Sequence, residues 1–159
     1  MANILIVCTA NICRSPVATA LLRDRLERRG LTDWQVLSAG TWVMVTRGAS
    51  RNSIVVAQRA GLDITQHRSM MVDERLLNGA DLVLAMEVGH AEALRAEFPD
   101  QAHKVHLLAE MVGQAYNIPD PYGGPLEEYE RMYDGLTELL DAGLERIITL
   151  AKEQANGRG

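Results

Sequence analysis

The chain has 159 residues, a net charge of −5 and two cysteines, with 47% of its residues hydrophobic. That length gives one domain with a normal core, and two cysteines are too few for a disulfide framework. No apolar run approaches the ~18 residues of a membrane span, and a pI near 5.4 with no basic stripe interleaved with aromatics speaks against nucleic acid.

The first residues carry no basic segment followed by an apolar stretch and a cleavage site, so a soluble cytoplasmic protein is expected. Charge is uneven along the chain. Residues 1–75 hold ten arginines against six acids, net +4; residues 76–159 hold six basic and fifteen acidic residues, net −9. The arginines either focus a negative substrate or solvate helix faces.

Residues 3–7 are apolar almost throughout and predict a strand covered on both faces. A helix is predicted over 16–29, with Ser15 as N-cap, Pro16 at the first helical position and Gly30 just past its end. A second strand over 34–39 closes at Gly40, and a helix over 52–60 stops at Gly61. A short helix at 72–77, a buried strand at 81–86, a helix over 88–98 ended by Pro99 and a short strand at 104–108 follow. Residues 113–124 are irregular.

The stretch 125–152 predicts one long helix, with Tyr129, Met132, Leu136, Leu140, Gly143, Ile147 and Leu150 on an apolar stripe. Gly143 inside that stripe predicts close approach to the sheet. A frayed tail at 154–159 leaves a domain over 1–153. Strands alternating with helices imply an α/β fold: a central four-stranded parallel sheet with helices on both faces, its ligand beyond the strand C-termini.

The functional signal is concentrated in residues 8–16. Cys8 ends the first strand, and the polar loop Thr9-Ala10-Asn11-Ile12-Cys13 leads to Arg14, Ser15 and Pro16 at a helix start. Backbone N–H groups in such a loop converge on one point and favour phosphate-like anions. Arg14 can match two oxygens of a phosphoryl group, and with the helix dipole it favours a negative sulfur on Cys8. Ser15 can donate to that sulfur. Asn11, mid-loop, tolerates the left-handed backbone a tight loop demands. The pattern Cys-x5-Arg-Ser thus combines a nucleophile with an oxyanion cradle.

The segment Val7-Cys8-Thr9-Ala10-Asn11-Ile12-Cys13-Arg14-Ser15-Pro16 resembles the phosphate-binding loop of the low-molecular-weight protein tyrosine phosphatases, at the N-terminus where that family carries it. The likeness continues through Ser38-Ala39-Gly40-Thr41, His67-Arg68, Ala80-Asp81-Leu82-Val83-Leu84-Ala85-Met86 and Asp120-Pro121-Tyr122-Gly123, nearly the whole chain. It implies a Rossmann-like three-layer fold and hydrolysis of phosphotyrosine through a cysteinyl-phosphate. In that scheme Cys8 attacks phosphorus, Arg14 and the amides of residues 9–15 bind phosphate, and Asp120 is general acid, then general base. No metal or other cofactor is required.

The resemblance further implies a hydrogen-bond network joining Asn11 to Ser38 and His67, and an aromatic slot floored by Ile12 and walled by Trp42 and Tyr122. Cys13 is either a small buried hydrophobe or the partner of Cys8 in a protective disulfide, and the two roles can coexist. The expected partners are a phosphorylated protein and oxyanions, with no nucleic acid and no membrane, and a monomer is the default. His90 reads as exposed near a helix start, His103 and His106 as lying on opposite faces of a strand and forming no metal site, Met70 and Met71 as packing, and Tyr129 and Tyr133 as core or surface.

Four other readings compete. A protein-arginine phosphatase belongs to the same family but typically has Thr where this chain has Ile12. A thiol-coupled arsenate reductase needs further cysteines, and none follows Cys13. A non-catalytic phosphate-binding module needs neither a nucleophile nor a proton donor. A nucleotide-binding loop would carry Gly-x4-Gly-Lys-[Ser/Thr], which is absent.

Overall fold

The computed structural model describes residues 1–157. Four parallel strands, β1 (Asn3–Cys8), β2 (Gln35–Gly40), β3 (Leu82–Ala85) and β4 (Val105–Leu107), form one sheet in the order β2-β1-β3-β4. The helices are α1 (Arg14–Arg28), α2 (Arg51–Arg59), α3 (Glu74–Gly79), α4 (Val88–Glu97) and α5 (Leu126–Gly157). Two 3-10 turns, Pro99–Lys104 and Leu108–Val112, flank β4.

Side-chain alternation along the central strands sets the layers. Ile4, Ile6 and Cys8 of β1, with Leu82 and Leu84 of β3, enter the core built with α1, α2 and α5. Leu5 and Val7, with Val83 and Ala85, enter the opposite core under α3 and α4. Cys8 therefore emerges on the α1 side of the sheet, at its C-terminal edge. The order places the topological switch between β1 and β3, where open α/β sheets form their crevice.

Several boundaries and contacts differ from the sequence expectation. Helix α1 begins at Arg14 with Cys13 as its N-cap, which makes no side-chain capping bond. Ser15 sits inside the first turn, because its hydroxyl is taken by Cys8 and Asn11 instead of a helix N–H. Gly143 lies against the 3-10 turn after β4 and not against the sheet: a Cβ there would stand 2.7 Å from Met111 Cβ. Helix α5 continues through residue 154, where a tail was expected, as far as Gly157; residues 158 and 159 lie outside the described residues. His103 falls in a 3-10 turn, and only His106 is on β4.

Several of the arginines that give the first half its positive charge meet the acids of the second. Arg25 binds Asp141, Arg29 binds Glu145 and Arg59 binds Glu130, all on α5. Those three of the ten arginines face the long helix, so part of the charge asymmetry is interhelical pairing. Among the described residues no helix is long and apolar enough to cross a membrane.

Candidate active site

The loop between β1 and α1 is held by its carbonyls. Thr41 N donates to Cys8 O at 3.0 Å, Trp42 N to Thr9 O at 2.9 Å, and Ser50 N to Ile12 O at 2.8 Å. His67 Nε2 donates to Asn11 O at 2.6 Å, and Ser53 Oγ to Cys13 O at 3.1 Å. In a trans peptide the next residue's N–H points opposite its carbonyl. Tethering these five carbonyls outward therefore turns the amides of Thr9, Ala10, Ile12, Cys13 and Arg14 the other way, into the loop.

Asn11 makes the turn possible. Among the described residues it is the only non-glycine residue at positive φ, +60°. A left-handed residue among right-handed neighbours is what curls successive N–H groups into an anion nest. Its buried side chain is fully used: Nδ2 donates to Ser15 Oγ at 2.7 Å and Ser38 Oγ at 2.9 Å, while Oδ1 accepts from Met70 N at 3.0 Å. Met70 thus contributes a backbone donor, and its side chain is exposed.

Gly40 leaves room for the loop. A Cβ there would lie 2.4 Å from Thr9 O and 3.1 Å from Asn11 N, both backbone atoms. The Ser38-Ala39-Gly40 segment thereby supplies a hydroxyl for Asn11 and a gap for the loop backbone.

Cys8 Sγ lies 3.0 Å from Ser15 Oγ. The Ser15 oxygen accepts from Asn11 and keeps its hydrogen free to donate to the sulfur when that is negative. Cys8, Thr9, Arg14, Asp120 and the exposed rings of Trp42 and Tyr122 border one cavity of about 280 Å³, with Ala10, Ile12, Cys13 and Arg47.

Arg14 is buried, with a relative exposure of 1%. Its Nη1 donates to Glu87 Oε2 at 2.5 Å and to Ile118 O at 2.8 Å. Nη2 lies 3.4 Å from Thr9 Oγ1 and 3.6 Å from Asp120 Oδ2, and Nε has no partner among the described residues. Asp120 is carried here because Ile118 N bonds Met86 O at 3.0 Å at the end of β3, and Asn117 Oδ1 accepts from Val88 N at 2.8 Å. Its Oδ1 accepts from Tyr122 N at 3.1 Å, which fixes the turn.

Two residues escaped the sequence reading. Glu87, at the start of α4, is the carboxylate on Arg14. An acid just past the C-terminal end of the strand beside β1 was the available signal. His90, expected to be exposed, is buried, with Nε2 2.8 Å from Thr9 Oγ1, because the first turn of α4 leans over the loop. Burial first, then Arg14, pushes its pKa below the ordinary value.

Cys13 lies 3.3 Å from Ser50 Oγ and 3.6 Å from Tyr129 OH, and both cysteines are free thiols. Burial pushes the Cys13 pKa up, against hydrogen bonds from Ser50 and Tyr129 that lower it. Tyr129 is pushed up to about 12, chiefly by burial. Cys13 therefore stays a neutral thiol at neutral pH.

A family model described as low molecular weight phosphotyrosine protein phosphatase matches residues 3–155. The chain belongs to that family. A protein-arginine-phosphatase of Geobacillus stearothermophilus is 37% identical over 148 residues, covering 92% of this chain and 97% of that one. The crystal structure of a low molecular weight protein tyrosine phosphatase from T. tengcongensis aligns with a TM-score of 0.87 at 37% identity, covering 92% and 99%. Vibrio vulnificus Wzb in complex with benzylphosphonate aligns with a TM-score of 0.83 at 32% identity, covering 91% and 98%.

Proposed function

We propose that the chain is a protein-tyrosine phosphatase that hydrolyses phosphotyrosine and small aryl phosphates through a cysteinyl-phosphate. The reading rests on one observation: Cys8, Arg14 and Asp120 border a single cavity, with the Ser15 hydroxyl within hydrogen-bond distance of the Cys8 sulfur.

The loop amides and Arg14 bind the non-bridging oxygens while Cys8 attacks phosphorus in line. The phosphorus–oxygen bond to the leaving group breaks, and Asp120 gives that oxygen its proton. Asp120 then takes a proton from water, which attacks phosphorus and releases phosphate, and Ser15 stabilises the departing sulfur. Asn11, Ser38 and His67 hold the loop in the binding shape. Among relatives, the bound benzylphosphonate of Vibrio vulnificus Wzb supports an aryl group beside the oxyanion.

Relatives include protein-arginine-phosphatases, so phosphoarginine is the second reading. The lining favours the aryl ester. Ile12 offers the floor of the slot an apolar surface, and Trp42 and Tyr122 offer ring faces at its mouth. Asp120 is the one carboxylate of the lining, beside the cations Arg14 and Arg47, which suits a neutral ring better than a guanidinium. A catalytic thiol suits a reducing cytoplasm, and the partner is a phosphorylated protein. The domain is taken as residues 1–153.

The test is kcat/KM on matched phosphotyrosine and phosphoarginine peptides. Phosphotyrosine is preferred, Cys8→Ser abolishes turnover, and Asp120→Ala lowers kcat on the peptide by about 100-fold or more. Equal turnover by Cys8→Ser would refute the scheme, and a phosphoarginine preference would refute the substrate.

A further inference from the structure

His90 is buried in the first turn of α4, its Nε2 2.8 Å from the Thr9 hydroxyl. That hydroxyl is 3.4 Å from Nη2 of Arg14. The same ring nitrogen stands 3.8 Å from Glu87 Oε2, the carboxylate that binds Nη1 of the same guanidinium at 2.5 Å. One side chain therefore touches the support on each side of Arg14. It does so across the gap between the C-terminal ends of β1 and β3, which pair as adjacent parallel strands.

We propose that His90 is a positioning residue for Arg14, holding the Thr9 hydroxyl against Nη2 so that the guanidinium keeps one orientation toward an oxyanion. The proposal rests on the reading of Arg14 as the phosphate-binding group.

The hydrogen-bond inventory gives the mechanism. The Thr9 oxygen accepts from Arg14 Nη2 on one side and shares a hydrogen bond with His90 Nε2 on the other, its direction set by the ring's tautomer. Thr9 is then fixed at both ends. Three charged groups face the ring: Arg14 from α1, Glu87 from its own helix, and Asp120 from the loop before α5. Burial and Arg14 hold the ring's pKa below its ordinary value, outweighing the two carboxylates, so the ring is neutral at neutral pH. A protonated ring would draw Glu87 from Arg14. Neutral His90 leaves Arg14 both supports.

The test uses four variants of the full chain: His90→Leu, His90→Gln, Thr9→Val and the double variant Thr9→Val/His90→Leu. Binding of inorganic phosphate by calorimetry, kcat/KM on p-nitrophenyl phosphate and the urea midpoint are read for each. His90→Leu and Thr9→Val each weaken phosphate binding and lower kcat/KM by about five- to tenfold, the size of one lost hydrogen bond. The double variant is no worse than the poorer single one, since both remove the same link. His90→Gln, whose amide can donate to or accept from the Thr9 hydroxyl where Nε2 was, stays within about threefold of the parent.

Parental phosphate affinity in His90→Leu, losses that multiply in the double variant, or no rescue by His90→Gln would each overturn the proposal. If His90→Leu fails to fold, Thr9→Val carries the test, and unchanged phosphate affinity there overturns it. Phosphate titration needs no turnover. A parent chain that binds phosphate and hydrolyses no monoester would defeat the proposed function while the titrations still decide the role of His90.

Discussion

Replacing Glu87 with alanine removes the strongest partner of a buried cation. Arg14 is 1% exposed and meets Glu87 at 2.5 Å. At an effective dielectric of about 20 and a charge separation of about 4 Å, that attraction is worth about 4 kcal/mol. Glu87 is about one-third exposed and water screens part of it, while Ile118 O and Asp120 remain on Arg14 after the change. A stability loss of about 2 kcal/mol follows, or about 4–8 °C in Tm for a domain of this size. The catalytic loss is separate. With Nη1 held by Ile118 O alone, Arg14 is less firmly oriented, and misaligning a two-pronged oxyanion contact lowers kcat/KM on p-nitrophenyl phosphate by about 10–100-fold. Glu87→Gln retains an acceptor and falls between the two. Thermal melts and steady-state kinetics on both variants measure these effects. A Glu87→Ala protein with parental kcat/KM would refute the claim that this carboxylate orients Arg14.

Gly40→Ala would drive its Cβ to 2.4 Å from Thr9 O and so displace the loop backbone. A destabilisation of about 1–3 kcal/mol and weaker inorganic phosphate binding are expected, whereas parental affinity would refute the close-approach argument. The pKa values of His67 and His90 are both held below the ordinary 6.5, chiefly by burial. The unfolded chain takes up these protons at higher pH than the folded chain. Their stabilisation is therefore complete above pH 6.5 and is lost as pH falls through the folded values. The parent's urea midpoint should drop more between about pH 7.5 and 5.5 than that of His67→Gln/His90→Gln, and equal drops would contradict it. Mild peroxide should oxidise Cys8 to a sulfenic acid that condenses with the Cys13 thiol, releasing water and forming a disulfide that dithiothreitol reverses. Mass spectrometry showing Cys8 as sulfinic or sulfonic acid with Cys13 reduced would remove that role.

Much of the site is legible because its parts are local. Strand, nucleophile, loop, arginine and helix start lie within residues 8–16, and a loop of that spacing leaves the chain few conformations. The sheet is legible for a similar reason: buried strands of β-branched and aliphatic residues alternate with amphipathic helices. Harder to see were residues whose partners are remote in sequence. Glu87 meets Arg14 across 73 positions and His90 meets Thr9 across 81, and neither lies in a periodic pattern. Ser15 misled for the opposite reason. Ser before Pro at a helix start is a strong capping signal, but here the hydroxyl is claimed by Cys8 and Asn11, and the helix starts at Arg14 without a side-chain cap.

By itself the sequence determined the layered α/β architecture and the family, because hydrophobic period and short-range spacing are properties of the chain alone. The tertiary structure decided which way things point. The pleat of β1 sends Cys8 to the α1 side, and the outward tethers on five carbonyls turn the amides inward. The hydrogen bond from Ile118 to the end of β3 brings Asp120 to Arg14. Each depends on the register of elements distant in sequence, and register is fixed only when the cores on both faces of the sheet close together.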